Sequence, residues 1–250
     1  MNYNSLLGSK LAKYFNKKYG IITYSGTLAI EVALKSLKLK RKSKVLISSN
    51  VCYSIINTVL KLGLVPVIKT PNNGLFFTND DIDVVIDKEI IDCILLVHQF
   101  GILNNISKRK YKKLNIKIIE DVAQAWDLKD NNGMNNIGID SDIVVTSFGS
   151  TKPISYGIGG GLFFDNKKIF KEIDFCDNES REKQGIILSY AYPLCKEIKL
   201  DYLLEKANEI VNEQRLCARE YSNVLLNQKT IKYINYEQNS GNVWHRFPMW

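Results

Sequence analysis

The sequence predicts an α/β fold, in which helices flank a mostly parallel, mixed β-sheet. Several short segments, such as Cys93–Val97 (CILLV), are apolar at every position, which is typical of strands buried on both faces. These runs alternate with segments such as Thr27–Lys38, whose apolar residues recur at helical spacing. Strands and helices that alternate in this way build parallel sheets through crossover helices.

Each helix or strand is predicted from the spacing of its apolar residues, and its ends are predicted from the turn residues on either side. The predicted strands are Gly20–Tyr24, Val45–Ser48, Leu64–Ile68, Cys93–Val97, Ile116–Ile119, Asp142–Phe148 and Gly160–Phe164. The predicted helices are 8–19, Thr27–Lys38, Tyr53–Leu62 and a long, highly charged segment, Leu200–Leu226, with breaks allowed in it.

The composition excludes several classes of protein. With 45% hydrophobic and 24% charged residues, the chain is neither collagen-like nor mucin-like nor wholly disordered. No apolar run approaches the roughly 18 residues of a membrane span, and no export signal is visible, so we expect a cytoplasmic protein without a membrane partner. The five cysteines are scattered without a CxxC pair, which argues against a disulfide framework or a zinc site.

The net charge of +8 is concentrated in two clusters, Lys38–Lys44 (KLKRKSK) and Lys108–Lys113 (KRKYKK). A nucleic-acid surface would interleave such charges with stacking aromatic residues or belong to a known module. Both clusters instead lie between a helical pattern and an apolar strand. We therefore interpret them as solvated loops and expect no nucleic-acid partner.

Candidate functional residues follow the predicted strands, where ligands gather in open α/β sheets. Ser25-Gly26-Thr27 opens a helix whose free N–H groups suit a phosphate, although the same residues make a plain N-cap. Asp121 follows the strand Ile116–Ile119 and could be a metal ligand, a general base, a helix cap or the partner of a protonated ring nitrogen. The metal alternative is weak, because no histidine cluster lies near it, and we expect no metal.

A lysine and a glycine loop follow the next strands. Lys152 stands among small and hydroxyl residues (SFGSTK, Ser147–Lys152), as a Schiff-base lysine or a surface lysine could. Gly157–Gly161 lets the backbone approach a bulky group or simply forms a turn. A phosphate cradle, a carboxylate and a lysine in this order are what pyridoxal phosphate requires. Asp121 would keep the pyridine nitrogen protonated, and Lys152 would hold the aldehyde as an imine.

At this point the sequence resembles the DegT/DnrJ/EryC1/StrS family of pyridoxal-phosphate-dependent sugar aminotransferases, over about residues 8–225. The resemblance is carried by KYFNKKYGIITYSGTLAIEVAL, LISSNVCYSIINTVLKLGLVPV, VHQFG, IIEDVAQA and SFGSTKPISYGIGGG. It implies the large domain of the aspartate aminotransferase-type fold over residues 1–225. Residues 226–250 would begin a small C-terminal domain that is largely missing.

The resemblance also implies roles for individual residues. Gly26, Thr27 and Ser147 would meet the cofactor phosphate, and Tyr53 would stack on the pyridine ring. Gln124 would lie near the phenolic oxygen, with Asp121 at the ring nitrogen and Lys152 at the imine. The implied reaction moves an amino group from glutamate to a nucleotide-linked keto-sugar, for surface glycan or polysaccharide precursors.

Two departures from the family keep an alternative open. Ser189–Pro193 lacks the Asn by which family members reach the phosphate bound in the partner subunit, and the small domain is cut short. The alternative is a non-catalytic or decayed member that acts as a partner or regulatory subunit. We expect a homodimer through Tyr53 and Ile186–Leu194, although the latter stretch could equally pack into the core of its own monomer.

Overall fold

The computed structural model describes residues 6–104, 106–127, 136–155, 157–169, 200–228, 230–234 and 241–249. The helices are α1 (Leu6–Tyr14), α2 (Gly26–Ser36), α3 (Tyr53–Lys61), α4 (Asn79–Ile86), α5 (Lys108–Lys113) and α6 (Leu200–Leu225), with a 3₁₀ turn at Gln99–Gly101. The strands are β1 (Tyr19–Thr23), β2 (Lys44–Ser48), β3 (Val65–Lys69), β4 (Cys93–Val97), β5 (Lys117–Asp121), β6 (Ile143–Ser147) and β7 (Gly160–Phe164).

The strands form one mixed, mostly parallel sheet in the order β1-β7-β6-β5-β4-β2-β3. Strands β2 to β6 pair in parallel, whereas β7 runs antiparallel to both of its neighbours, β1 and β6. The predicted α/β class and the mostly parallel sheet are therefore confirmed. The carboxyl ends of β1, β5 and β6 lie at the same edge of the sheet, which is the edge that carries the candidate site.

Apolar side chains are buried on both faces of the sheet. One core cluster joins α2 and α3 to alternate residues of the central strands, including Ile47, Leu95 and Val145. On the opposite face, Phe15 and Trp126 pack with Phe163 around an aromatic centre. Burial on both faces explains why β4 and β7 are apolar throughout and why their predicted bounds agree with the structure.

Two helices were absent from the sequence-based prediction. Helix α4 is opened by a capping box between Thr78 and Asp81, and α5 coincides with the second lysine cluster. The interpretation of Lys108–Lys113 as a solvated loop was wrong, because these residues form a helix in which four of the five positive charges are paired. Their partners are Glu120, Asp140, Asp83 and Asp142. The first cluster, Lys38–Lys44, does lie mainly in the loop between α2 and β2.

Other bounds shift by a few residues. The first helix ends at Tyr14 rather than at residue 19, and the long α6 is continuous to Leu225, without the allowed breaks. Asp121 is the last residue of β5 rather than the residue after the strand. In the described ranges, no helix is long and apolar enough to cross a membrane. The same residues contain no group of three side chains placed to hold a metal ion.

Candidate active site

The phosphate cradle predicted at Ser25-Gly26-Thr27 is a helix N-terminus in the structure. Ser25 is the N-cap of α2, and its hydroxyl accepts a hydrogen bond from the Leu28 amide at 3.1 Å. The Thr23 hydroxyl donates to the Ser25 carbonyl at 2.9 Å, which fixes the turn between β1 and α2. Because the first amides of a helix have no acceptor within it, this end of α2 suits an anion.

Close backbone approach brings the cradle against Ser147. Gly160 pairs with Thr23 on one side and with Ser147 on the other, so it lies between the two strand ends. A Cβ at Gly160 would lie 2.5 Å from the Gly26 nitrogen, and a Cβ at Gly26 would lie 2.7 Å from that of Ser147. Glycine is therefore required at both positions. The sequence left two interpretations of the glycine loop open, a close backbone approach or a simple turn. At Gly160 the structure shows a close backbone approach.

Asp121 lies at the carboxyl end of β5 with its side chain buried. Its Oδ1 accepts a hydrogen bond from the Ala123 amide at 2.9 Å. Burial raises the pKa of Asp121 above its usual value, while that hydrogen bond and the positive charge of Lys152 act in the opposite direction. A buried carboxylate in this state favours a cationic partner such as a protonated ring nitrogen.

Lys152 is the common neighbour of the candidate residues. It follows β6 in a turn, where its amide donates to the Gly149 carbonyl at 3.0 Å. Its charge acts on the pKa values of Asp121, Cys52 and His245, three residues from three separate parts of the chain. Lys152 and Asp121 therefore lie at the same sheet edge, near enough for the charge of the lysine to act on the carboxylate.

Tyr53 and Gln124 occupy the borders of this site. Tyr53 is the first residue of α3 and is 72% exposed, and its neighbour Cys52 responds to both Lys152 and Asp121. Gln124 is tied to the 3₁₀ turn: its Oε1 accepts from the Phe100 amide at 3.0 Å, and its Nε2 donates to Gln99 Oε1 at 3.2 Å. The Gln124 side chain is thus held by the turn after β4, while Tyr53 is exposed at the start of α3.

Thr27 lies exposed in the first turn of α2, next to Gly26. The expected departures at Ser189–Pro193 and the expected interface stretch Ile186–Leu194 lie outside the described residues.

A buried polar network beneath the strand ends has no counterpart in the sequence-based prediction. The Glu120 carboxylate accepts from His98 Nε2 at 2.9 Å, from Lys108 Nζ at 3.0 Å and from the Gly138 amide at 2.9 Å. The Asn104 amide donates to His98 Nδ1 at 3.1 Å, so the ring carries its hydrogen on Nε2. Although burial opposes ionisation, Lys108, His98 and Gly138 lower the pKa of Glu120 to about 2.

His245 is a further residue near the site that the sequence analysis did not single out. Burial, Arg246 and Lys152 lower its pKa to about 4. No local pattern could have identified it, because its place depends on how the C-terminal segment folds back onto the sheet.

The profile of the DegT/DnrJ/EryC1/StrS aminotransferase family matches residues 2–250. The chain belongs to this family. The 3-oxo-glucose-6-phosphate:glutamate aminotransferase of Bacillus subtilis is 25% identical over 96% of this chain and 55% of its own length. The GDP-perosamine synthase of Escherichia coli O157:H7 is 23% identical over 99% of this chain and 68% of its own. The chain thus spans between about half and two thirds of the length of these relatives.

Solved structures agree with this assignment. NtdA from Bacillus subtilis, crystallised with the cofactor PMP, superposes with a TM-score of 0.75 at 25% identity, over 99% of this chain and 58% of that one. DesV from S. venezuelae, in complex with a ketimine intermediate, gives a TM-score of 0.77 at 19% identity, over 97% and 67% of the two chains. The fold is therefore that of the pyridoxal-phosphate-dependent aminotransferases, as the resemblance implied.

Proposed function

We propose that this family member is a pyridoxal-phosphate-dependent aminotransferase, which moves the amino group of glutamate to a nucleotide-linked keto-sugar. The observation that carries the proposal is the meeting of Lys152 and the buried Asp121 at the sheet edge where Gly26 abuts Ser147. Membership of a sugar aminotransferase family supports it independently. The surface-glycan precursors expected from the sequence belong to the same proposal.

The residues present fit the cofactor. The helix end at Gly26 and Thr27, with the Ser147 hydroxyl beside it, would hold the phosphate. Tyr53 would cover the ring, Gln124 would lie near the phenolic oxygen, and Asp121 would pair with the ring nitrogen. The bound cofactor would supply an aldehyde carbon that condenses with amines and a ring that accepts an electron pair.

Lys152 would have two tasks in this reaction. Its amine would hold the cofactor at the aldehyde carbon. It would then carry a proton away from the α-carbon of glutamate and later deliver a proton to the sugar carbon that receives the amine. Asp121 would stay ionised beside the ring nitrogen throughout, because that positive charge offsets the cost of burying its carboxylate.

Two names among the relatives define the acceptor to be tested. One relative is named for an oxo-glucose phosphate and the other for a GDP-linked sugar, so a sugar that carries phosphate is common to both names. We favour the nucleotide-linked sugar. The net charge of +8 is compatible with a diphosphate-bearing substrate.

The test is the visible absorption spectrum of the purified protein with pyridoxal phosphate, followed by glutamate. The expected result is a band from the lysine-bound cofactor that bleaches as 2-oxoglutarate forms. Lys152→Ala should lack the band, and Lys168→Ala, which changes an exposed lysine beyond β7, should keep it. Added keto-sugar, either nucleotide-linked or as the hexose phosphate, then identifies the acceptor. A band that glutamate does not bleach would favour a non-catalytic partner subunit.

We also propose that the protein is a homodimer. Tyr53 and Leu60 lie seven residues apart on α3, so they share one face of that helix, and both are exposed. An exposed apolar face beside the site is where a second copy could cover Tyr53.

A further inference from the structure

The turn that follows β4 and begins at His98 is fastened to the end of β5 that carries Asp121. The His98 amide donates to the Asp121 carbonyl at 3.0 Å, and the His98 ring donates from Nε2 to Glu120 at 2.9 Å. At the other end of the turn, the Gly101 carbonyl accepts from the Val243 amide at 2.8 Å. The position of this turn relative to the carboxyl end of β5 is therefore fixed.

Within the turn, Phe100 has a backbone conformation that residues other than glycine rarely adopt. Its φ is 59° and its ψ is 10°, in the left-handed region, where the side chain crowds the backbone. Such a conformation persists only where the surrounding contacts hold it. One of these contacts is the hydrogen bond that the Phe100 amide donates to Gln124 Oε1, at 3.0 Å. The left-handed conformation thus accompanies a direct link between the turn and the side chain of Gln124.

Two contacts from the turn determine which way round the Gln124 amide lies. An N–H can pair only with an acceptor, so the Phe100 amide requires Gln124 Oε1, and not Nε2, to face it. This hydrogen bond alone would still allow the amide plane to rotate about it. Gln99 supplies the second contact, because its Oε1 accepts from Gln124 Nε2 at 3.2 Å. Together the two hydrogen bonds fix both the sense and the plane of the Gln124 amide.

The Gln124 amide nitrogen carries two hydrogens, and Gln99 accepts only one of them. We propose that Gln99 is a positioning residue, which holds the Gln124 amide so that its second hydrogen is directed to the phenolic oxygen of the cofactor. This inference rests on the proposed function, in which Gln124 lies near that oxygen. It adds to the site a residue that neither touches the cofactor nor carries out a step of the reaction.

The first measurement is made on the cofactor-free protein and follows the exchange of the Gln124 side-chain hydrogens with water by NMR. Gln99→Leu removes the acceptor, whereas Gln99→Glu keeps a side-chain oxygen at the same distance from the backbone. Gln228→Leu is the matched control, because Gln228 is exposed and lies beyond α6.

We expect exchange at Gln124 to be about fivefold faster in Gln99→Leu, as the loss of one ordinary hydrogen bond predicts. The Gln99→Glu variant and the Gln228 control should exchange like wild type. Unchanged exchange in Gln99→Leu, or equally fast exchange in Gln99→Glu, would overturn the proposal.

The second measurement tests whether the oriented hydrogen meets the cofactor. A donor at the phenolic oxygen offsets its negative charge, so it lowers the pH at which the lysine-bound cofactor loses its proton and its absorption band shifts. Gln124→Leu should therefore raise the midpoint of this change by about half a pH unit, and Gln99→Leu should raise it by part of that amount. An unmoved midpoint in Gln99→Leu would contradict the proposal.

The double variant separates a positioning role from a general structural one. In the Gln124→Leu background, adding Gln99→Leu should leave the midpoint where it is, because Gln99 acts through Gln124. A further shift in the double variant would overturn the proposal while leaving the proposed function intact. A wild-type protein without the band would refute the proposed function instead, and the exchange comparison would still decide whether Gln99 positions Gln124.

Discussion

At the carboxyl end of β5, the neighbouring carboxylates of Glu120 and Asp121 experience opposite surroundings. Glu120 is surrounded by donors from His98, Lys108 and Gly138, and its pKa is lowered to about 2. Asp121 accepts one hydrogen bond from the backbone, and burial raises its pKa. The first carboxylate therefore stabilises the fold, while the second is held at a cost that a bound cation would offset.

The Glu120 network predicts an acid-sensitive contribution to stability. Lys108→Met removes the nearest positive partner of a buried carboxylate and should lower the free energy of unfolding by about 3–5 kcal/mol at pH 7. Since the folded pKa is depressed, the contribution of Glu120 is present above the unfolded pKa and is lost as pH falls from about 4.3 to about 2. Urea unfolding across this range should show a shallower pH dependence in the variant.

The matched control for this experiment is Lys110→Met. Lys110 pairs with Asp83 on the protein surface, so its loss should cost less than about 1 kcal/mol. Equal losses in the two variants would contradict a special role for the buried network.

For Asp121 we expect the opposite effect on stability, because its pKa is raised rather than lowered. Asp121→Asn can keep the hydrogen bond from Ala123 but removes a buried charge, so the cofactor-free variant should be more stable than wild type at pH 7. Because burial raises the folded pKa, the difference should vanish below the unfolded pKa of about 3.9, where both forms are neutral. Thermal unfolding at both pH values measures this difference in stability.

The same variant, Asp121→Asn, should lose amino transfer from glutamate. Full transfer would contradict the role of Asp121 at the ring.

Among the helices and strands, those that are most completely buried were predicted most accurately from the sequence. Cys93–Val97 and Gly160–Phe164 were predicted to the residue because strands buried on both faces leave a continuous apolar run. Helix α5 was missed because KRKYKK buries Tyr111 alone and has no apolar period. Helix α4 carried a readable signal, the capping residues Thr78 and Asp81, that the sequence analysis did not use.

The residues of the candidate site also divide into those that the sequence could predict and those that it could not. Lys152 and Asp121 could be predicted because each follows or ends a strand, and strand ends meet at one edge. His245 could not, since its place depends on contacts between α6, the loop after β4 and the C-terminal segment. Long-range contacts of this kind leave no local pattern in the sequence.

The docking of the C-terminal segment onto α6 can be tested at Arg215. This guanidinium donates to Asp127 Oδ2 at 3.1 Å and also to the carbonyls of Asp127, Gly241 and Asn242. Arg215→Gln should lower the free energy of unfolding by about 2–3 kcal/mol and speed hydrogen exchange in residues 241–249. Arg219→Gln, one turn further along α6, loses an exposed pair with Glu220 and should cost less than about 1 kcal/mol. If both variants exchange alike, Arg215 does not hold the segment.

For the whole molecule, the main prediction is association into a dimer. Leu60→Glu places a charge on the exposed apolar face of α3 and should convert the dimer to a monomer of 28.6 kDa. Ile90→Glu is the control, because Ile90 is 81% exposed but lies in the loop after α4. Sedimentation equilibrium at micromolar concentration measures the mass. A wild-type protein that sediments as a single 28.6 kDa species, with or without pyridoxal phosphate, would refute the dimer.

The claim on which the account depends is that Lys152 is the residue that bonds to the cofactor. Reduction of the protein with borohydride in the presence of pyridoxal phosphate makes that bond permanent, and peptide mapping then locates it. We predict a pyridoxyl label on Lys152, because this lysine lies beside Asp121 at the sheet edge where Gly26 meets Ser147. A label on another lysine, or labels spread over the exposed lysines without preference, would contradict the account.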